Sequence, residues 1–283
     1  YYLAQLQEQG RDTKAAADTY RRAIKAAPDE PAAYLRLAIL RMASNDADGA
    51  TAVLEEGLAR MPEDERFLEL LAYIHLGRRD YQQALSYFGR TETLIEQQGT
   101  EPLTPNFHLN HAIATQLAGQ TSEAASLLYK AIGINRAYLQ AYVHYMSRES
   151  VVTNIDSSVS VLTKVGEKTP DDPSLFLYLG LLNSYAKMYP EAVAAFEKAE
   201  RLASESETEE DVLTPSFYFW YGAACERNGE FDRAVALFQR CIALQPDAFN
   251  RLEYKSYVDA LNYLAYMWAE RGIELDQALG YIR

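Results

Sequence analysis

Few residues in this chain have the chemistry for catalysis or metal binding: four histidines and two cysteines among 283 residues. His108 and His111 are three apart, so a helix would hold both imidazoles on one face, where two ring nitrogens can meet one metal ion. No third or fourth ligand accompanies them, and His111 falls where helix packing needs a side chain, so no metal site is expected. His75 and His144 stand alone and read as packing or surface groups. Cys225 and Cys241 form no C-x-x-C; a bridge between paired helices is conceivable, and two small buried thiols are the expectation. There is no G-x-S-x-G, no H-E-x-x-H and no Gly-rich phosphate loop, so neither catalytic residues nor a cofactor are expected.

Composition narrows the classes further. A net charge of −13 works against nucleic acid, whose phosphates need a surplus of Lys and Arg. The longest apolar run, FLYLGLL at 176–182, falls far short of the roughly 20 residues that span a bilayer. Glu205, Glu207, Glu209, Glu210 and Asp211 make an acidic run that reads as a solvated helix end or loop rather than as a docking site for a basic partner.

The elements that carry these residues repeat. GEFDRAVALFQRCIALQP (229–246) has a Gly start, an apolar stripe at three- and four-residue spacing and a Pro stop, the signature of one amphipathic helix. The same design recurs, with a small residue at Ala16, Ala50, Ala84, Ala124, Ser158, Ala192, Ala234 and Ala278, spaced by 34, 34, 40, 34, 34, 42 and 44 residues. A preceding helix carries its own small column at Ala4, Ala38, Ala72, Ala112, Met146, Gly180, Gly222 and Ala265. A third column runs through Ala23, Gly57, Thr91, Ala131, Val165, Ala199 and Cys241. Helices approach to about 8–10 Å only where side chains are short, so these columns mark where paired helices meet. Gly222 is expected to meet Ala234 and Cys241 at such an approach.

Tyr218, Tyr221, Gly222, Gly229, Ala234, Phe238, Cys241 and Pro246 together resemble the tetratricopeptide repeat, with Cys225 where an aromatic is commoner. The resemblance covers essentially the whole chain and implies an all-α fold: a right-handed superhelical solenoid of antiparallel helix pairs. The expected organisation is a single solenoid over 1–283. Its units are 1–30 and 258–283 (both truncated), 31–64, 65–98, 105–138, 139–172, 173–206 and 215–248, with long connections near 99–104, 207–214 and 249–257. Unit 139–172 has Met146, Ser158 and Val165 in the small columns, so its helices should sit apart or shift in register. LTPNF (103–107) and LTPSF (213–217) place Thr104 and Thr214 as helix N-caps, with Pro105 and Pro215 at the first helical position.

In the family that this chain resembles, the first helix of each unit lines a concave groove. Projected onto that face, the lining is Leu35, Ile39 and Met42; Glu69, Tyr73 and Leu76; Leu109, Ile113 and Gln116; Val143 and Ser147; Leu177, Leu181 and Tyr185; Phe219, Ala223 and Glu226; and Asn262 and Tyr266. An apolar, aromatic lining of this kind favours a bound segment over water. The Lys, Arg and Asn set with which chaperone-binding relatives clamp a C-terminal carboxylate is missing.

The expectation is a non-catalytic scaffold for a protein or peptide. The alternative is a regulatory or substrate-docking segment of a larger enzyme or of a secretion or envelope assembly. The chain starts inside one helical pattern (YYLAQLQEQG) and stops inside another (LDQALGYIR), which reads as a piece of a longer protein and makes self-association through open solenoid ends a further expectation. DALNYLAYMWAERGIELDQAL (259–279) resembles segments of bacterial members of the family, which implies a bacterial cytoplasm or cell envelope as the setting.

Overall fold

The computed structural model describes residues 1–100, 104, 106–149, 155–206, 212–246 and 249–282. The chain divides into two compact units, Tyr1–Leu127 and Leu128–Arg283. Every regular element among the described residues is an α-helix. The first unit holds α1 (Tyr2–Gln9), α2 (Thr13–Ala26), α3 (Pro31–Ala43), α4 (Ala47–Arg60), α5 (Glu65–Gly77), α6 (Tyr81–Gln98) and α7 (Phe107–Leu117). The boundary falls inside α8 (Thr121–Ile134). The second unit continues with α9 (Ala137–Glu149), α10 (Ile155–Lys168), α11 (Pro173–Tyr185) and α12 (Tyr189–Ser204). It ends with α13 (Pro215–Arg227), α14 (Phe231–Ala243), α15 (Arg251–Arg271) and α16 (Leu275–Ile282).

A recurring turn makes these helices into antiparallel pairs. Arg11, Asn45, Arg79 and Lys187 take φ of 62°, 59°, 63° and 61°, and Gly119 and Gly229 take 90° and 85° at the equivalent place. The residue that follows donates its N–H to the carbonyl five back: Asp12 to Gln7, Asp46 to Arg41, Asp80 to His75, Gln120 to Thr115, Met188 to Asn183 and Glu230 to Cys225. One left-handed residue therefore ends the first helix and satisfies its last carbonyls. In three turns the next residue is an Asp whose carboxylate caps the second helix, Asp12 accepting from Ala15 N at 3.1 Å, Asp46 from Gly49 N at 2.9 Å and Asp80 from Gln83 N at 3.4 Å.

Apart from the half-buried Ala23, the small columns lie in the interior as expected, and one large column fills the space they leave. Four residues after each small residue of the second helices come Tyr20, Leu54, Phe88, Leu128, Leu162, Phe196 and Phe238, each with 0% of its surface exposed. The next unit's first helix covers this column. The His111 ring stacks on Phe88 with centroids 5.1 Å apart, and Tyr221 stacks on Phe196 at 5.4 Å. Truncating a residue of this column costs about 2–5 kcal/mol, because it leaves a cavity between elements that cannot close on it. Gly222 makes its close approach to the Phe238 ring, whose atoms are the nearest to it, rather than to Ala234 or Cys241. An aromatic ring reaches across the gap that two small side chains leave.

Two expectations about connections need correction. Thr104 does not cap α7, which starts at Phe107 after Asn106; its hydroxyl turns instead to the Glu69 carboxylate. Pro105, Leu103 and the acidic residues 207–211 lie outside the described residues. Thr214 is a cap, accepting from Phe217 N at 3.3 Å, with Pro215 in the first turn. The stretch 249–257 is no loop: α15 starts at Arg251 behind Asn250, whose side chain accepts from Glu253 N at 3.4 Å. In unit 139–172, Met146, Ser158 and Val165 are all buried, and α9 touches α10 less extensively than α11 touches α12.

Candidate functional site

The first helices of the pairs carry the expected lining, and the structure sorts it into surface and interior. In the N-terminal unit, Ile39 and Met42 on α3 are 40% and 39% exposed and Leu35 is half-buried. Tyr73 is half-buried on α5, while Glu69 and Leu76 beside it are buried. Leu109 and Ile113 are interior residues and offer no area to a partner, because α7 is apolar around most of its circumference and buries Phe107, Leu109 and His111 through Gln116.

In the C-terminal unit, Val143 and Ala223 are buried, Ser147 is partly exposed and Asn262 is exposed. Leu177 and Leu181 are half-buried, and Tyr185, at the same four-residue spacing along α11, is 47% exposed. Phe219 is buried at 8% exposure, its ring 5.8 Å from Tyr263 and 6.0 Å from Phe238, so it belongs to the packing beneath the surface. Tyr266 on α15 is 64% exposed.

The helix pairs bring a residue to this surface that periodicity passed over. Trp220 meets Tyr185 edge-on at 5.7 Å and Phe219 at 5.5 Å, which links α11 to α13, and Phe219 continues the contact to Tyr263 on α15. Arg227 donates to the Tyr263 hydroxyl at 3.0 Å. Between α11 and α13 a cavity of about 280 Å³ is lined by Ser184, Tyr185, Lys187, Tyr189, Trp220, Ala223, Ala224 and Arg227. A signal for Trp220 was present: the residue two before the small column is Tyr178, Trp220 and Tyr263 in three successive first helices.

The polar groups found inside serve packing. The buried Glu69 carboxylate accepts from the Tyr73 hydroxyl at 2.5 Å and from Thr104. Burial, and then the bond to Glu69, push the Tyr73 phenol far above its ordinary range. His111 lies within an aromatic cluster with Phe88 and Phe107, and His108 meets Phe107 edge-on at 5.4 Å. Among the described residues, no three His, Cys, Asp or Glu side chains come together as a metal ion requires. Cys225 and Cys241 are free, buried thiols, each pushed up to about 12 by burial. Cys241 points its sulfur at the Pro215 carbonyl, 3.2 Å away. A protonated, buried thiol is a poor nucleophile.

Comparison with known proteins agrees with this architecture. Residues 6–74 and 215–248 each match a family model described as tetratricopeptide repeat. The fold is similar to that of the C-terminal part of a TPR repeat-containing protein from Cytophaga hutchinsonii, at TM-score 0.51 and 15% identity over 99% of this chain and 92% of that one. The chain carries tetratricopeptide repeats in these two stretches. Weaker likenesses of this repeat protein include one from Parabacteroides merdae, at TM-score 0.47 and 15% identity over 92% of this chain and 97% of that one. Another is YrrB, described as having an unusual peptide-binding site, at TM-score 0.44 and 15% identity over 84% of this chain and 98% of that one. The sequence matches no curated protein significantly. Tetratricopeptide repeats typically serve as non-catalytic scaffolds for protein or peptide partners. No helix among the described residues is long and apolar enough to cross a membrane.

Proposed function

We propose that this repeat protein is a non-catalytic scaffold that holds an apolar protein or peptide segment against the first helices of its C-terminal unit. The contact residues are Leu177, Leu181, Tyr185 and Tyr266, with Trp220 added. The observation that carries the reading is the Tyr185–Trp220 contact, with centroids 5.7 Å apart beside a 280 Å³ cavity. Two large rings left partly open on neighbouring first helices offer area and hydrogen-bonding edges at little cost in rotamer freedom. Ile39 and Met42 supply a smaller apolar patch of the same kind in the N-terminal unit.

Lys187 and Arg227 at the rim give the cavity a positive edge in a chain of net charge −13. An apolar segment flanked by a carboxylate fits that edge best. The test is selection of displayed peptides on the wild-type protein, followed by rebinding to Leu177→Glu/Leu181→Glu and to Trp220→Ala. The expected result is at least tenfold weaker binding by both variants, with helicity and unfolding midpoint close to wild type. Unchanged binding, or binding lost only together with the fold, overturns the assignment.

A further inference from the structure

Aromatic rings form a continuous row across three successive first helices of the C-terminal unit. Tyr185 on α11 meets Trp220 on α13 at 5.7 Å, Trp220 meets Phe219 at 5.5 Å, and Phe219 meets Tyr263 on α15 at 5.8 Å. Phe219 is buried beneath the row, while Trp220 and Tyr263 are half-buried and Tyr185 is exposed, so three of the four rings keep part of their surface open. Helices packed side by side lie about 8–10 Å apart, so a segment that crosses the first helices meets a new one at about that step.

The cavity beside the row has a one-sided polarity. Lys187, Arg227 and the Trp220 indole can only donate hydrogen bonds, and no Asp or Glu is among the lining residues, although the chain has 40 acidic residues against 27 basic ones. Arg227 also donates to the Tyr263 hydroxyl at 3.0 Å, so its guanidinium links the cavity to the row of rings. An occupant must therefore bring apolar surface for the rings, acceptors for the donors and a negative charge for the rim. A proline-rich segment brings the first two, because proline has no N–H and its backbone only accepts, and polyproline II leaves those carbonyls unpaired within itself. Such a segment turns once in three residues, about 9 Å, which matches the step between adjacent first helices. An extended strand returns to the same face about every 7 Å and an α-helix about every 5.4 Å.

On the reading that the C-terminal unit binds a segment on its first helices, we infer that this segment is proline-rich, in polyproline II conformation, and carries an Asp or Glu that meets Lys187 and Arg227. Prolines three apart stack on Trp220 and Tyr263, and the acidic side chain enters the cavity beside Tyr185. The segment is already extended before it binds, so it loses little freedom on an aromatic-lined groove. A basic residue in place of the acidic one meets two like charges, which selects against it.

Fluorescence anisotropy with labelled synthetic peptides tests this. The probes are a short peptide with proline at every third position and a pair of Asp residues at one end, the same peptide with Ala for each Pro, the same with Lys for each Asp, and a proline-free peptide of Leu and Phe that keeps the Asp pair. The wild-type protein should bind the first at least tenfold more tightly than each of the others, and its preference over the Lys peptide should shrink as salt is added. Trp220→Ala should weaken the first peptide at least tenfold. Lys187→Glu/Arg227→Glu should reverse the preference between the Asp and Lys peptides at unchanged helicity, and Arg227→Gln, which should reduce that preference, serves should the double variant lose its helicity. Equal affinity for the proline-rich and the Leu and Phe peptides, both weakened by Trp220→Ala, overturns the inference and leaves the scaffold reading standing. No binding of the proline-rich peptide overturns the inference as well, while the displayed-peptide selection still decides the scaffold reading. A preference for Asp over Lys that survives Lys187→Glu/Arg227→Glu overturns the part assigned to the two cations.

Discussion

Gly180 lies against the Phe196 ring so closely that a Cβ at Gly180 would come within 2.9 Å of three ring carbons. Phe196 is fixed in turn by Phe217, edge-on at 5.7 Å, and by Tyr221, stacked at 5.4 Å, so the ring has nowhere to move. Gly180→Ala should therefore destabilise: overpacking costs about 1–3 kcal/mol and outweighs the roughly 1 kcal/mol that Ala gains over Gly in a helix. Gly57→Ala should behave alike, its Cβ lying 2.8 Å from Phe67, whereas Gly222→Ala, at 3.0–3.2 Å from Phe238, should lie near zero. Urea midpoints of the three variants check the order, and Gly222→Ala as the most damaging would refute it.

Lys187 holds φ at 61° in the turn between α11 and α12, where Gly229 holds 85° in the next pair. A side chain in this region costs about 1–2 kcal/mol, and glycine's extra freedom in the unfolded chain returns roughly 0.5–1 kcal/mol. Lys187→Gly should stabilise by up to about 1 kcal/mol and Gly229→Ala should destabilise by a similar amount. Opposite shifts in urea unfolding are the expected result; shifts of one sign would show that contacts, not backbone conformation, control the turn.

Burial lifts both thiols, Cys225 and Cys241, from an ordinary 9.0 to about 12. Unfolded thiols start to ionise near pH 9 while the folded ones keep their protons, so the folded state binds more protons between about pH 9 and pH 12. Stability from these groups is complete below pH 9 and falls as pH rises through that window. Cys225→Ala/Cys241→Ala should flatten the alkaline loss seen in urea unfolding at pH 8 and pH 10. At pH 8 the native thiols should react with a disulfide reagent far more slowly than the unfolded ones; equal rates would place them at the surface.

Helix pairing was legible because it depends on neighbours in sequence. Small residues at Ala38 and Ala50, or Gly222 and Ala234, come from one pair joined by one short turn, and their periodicity reports the approach directly. The role of Cys241 as a small packing residue was legible in the same way. Connections were harder to read: Thr104 has the residue type of a cap, and Glu69, 35 positions earlier, takes its hydroxyl instead.

By itself the sequence determined that the chain is helical, that its helices pair and that its units resemble tetratricopeptide repeats, since these follow from short-range spacing that each unit repeats. Only the tertiary structure decided which first-helix residues face outward. Leu177 and Phe219 have the same kind of position in their units, yet Phe219 is buried because Tyr263 and Phe238 close over it. The Tyr185–Trp220 contact joins side chains 35 positions apart. Exposure on a first helix depends on the size of side chains in the adjoining pair, which no single helix records.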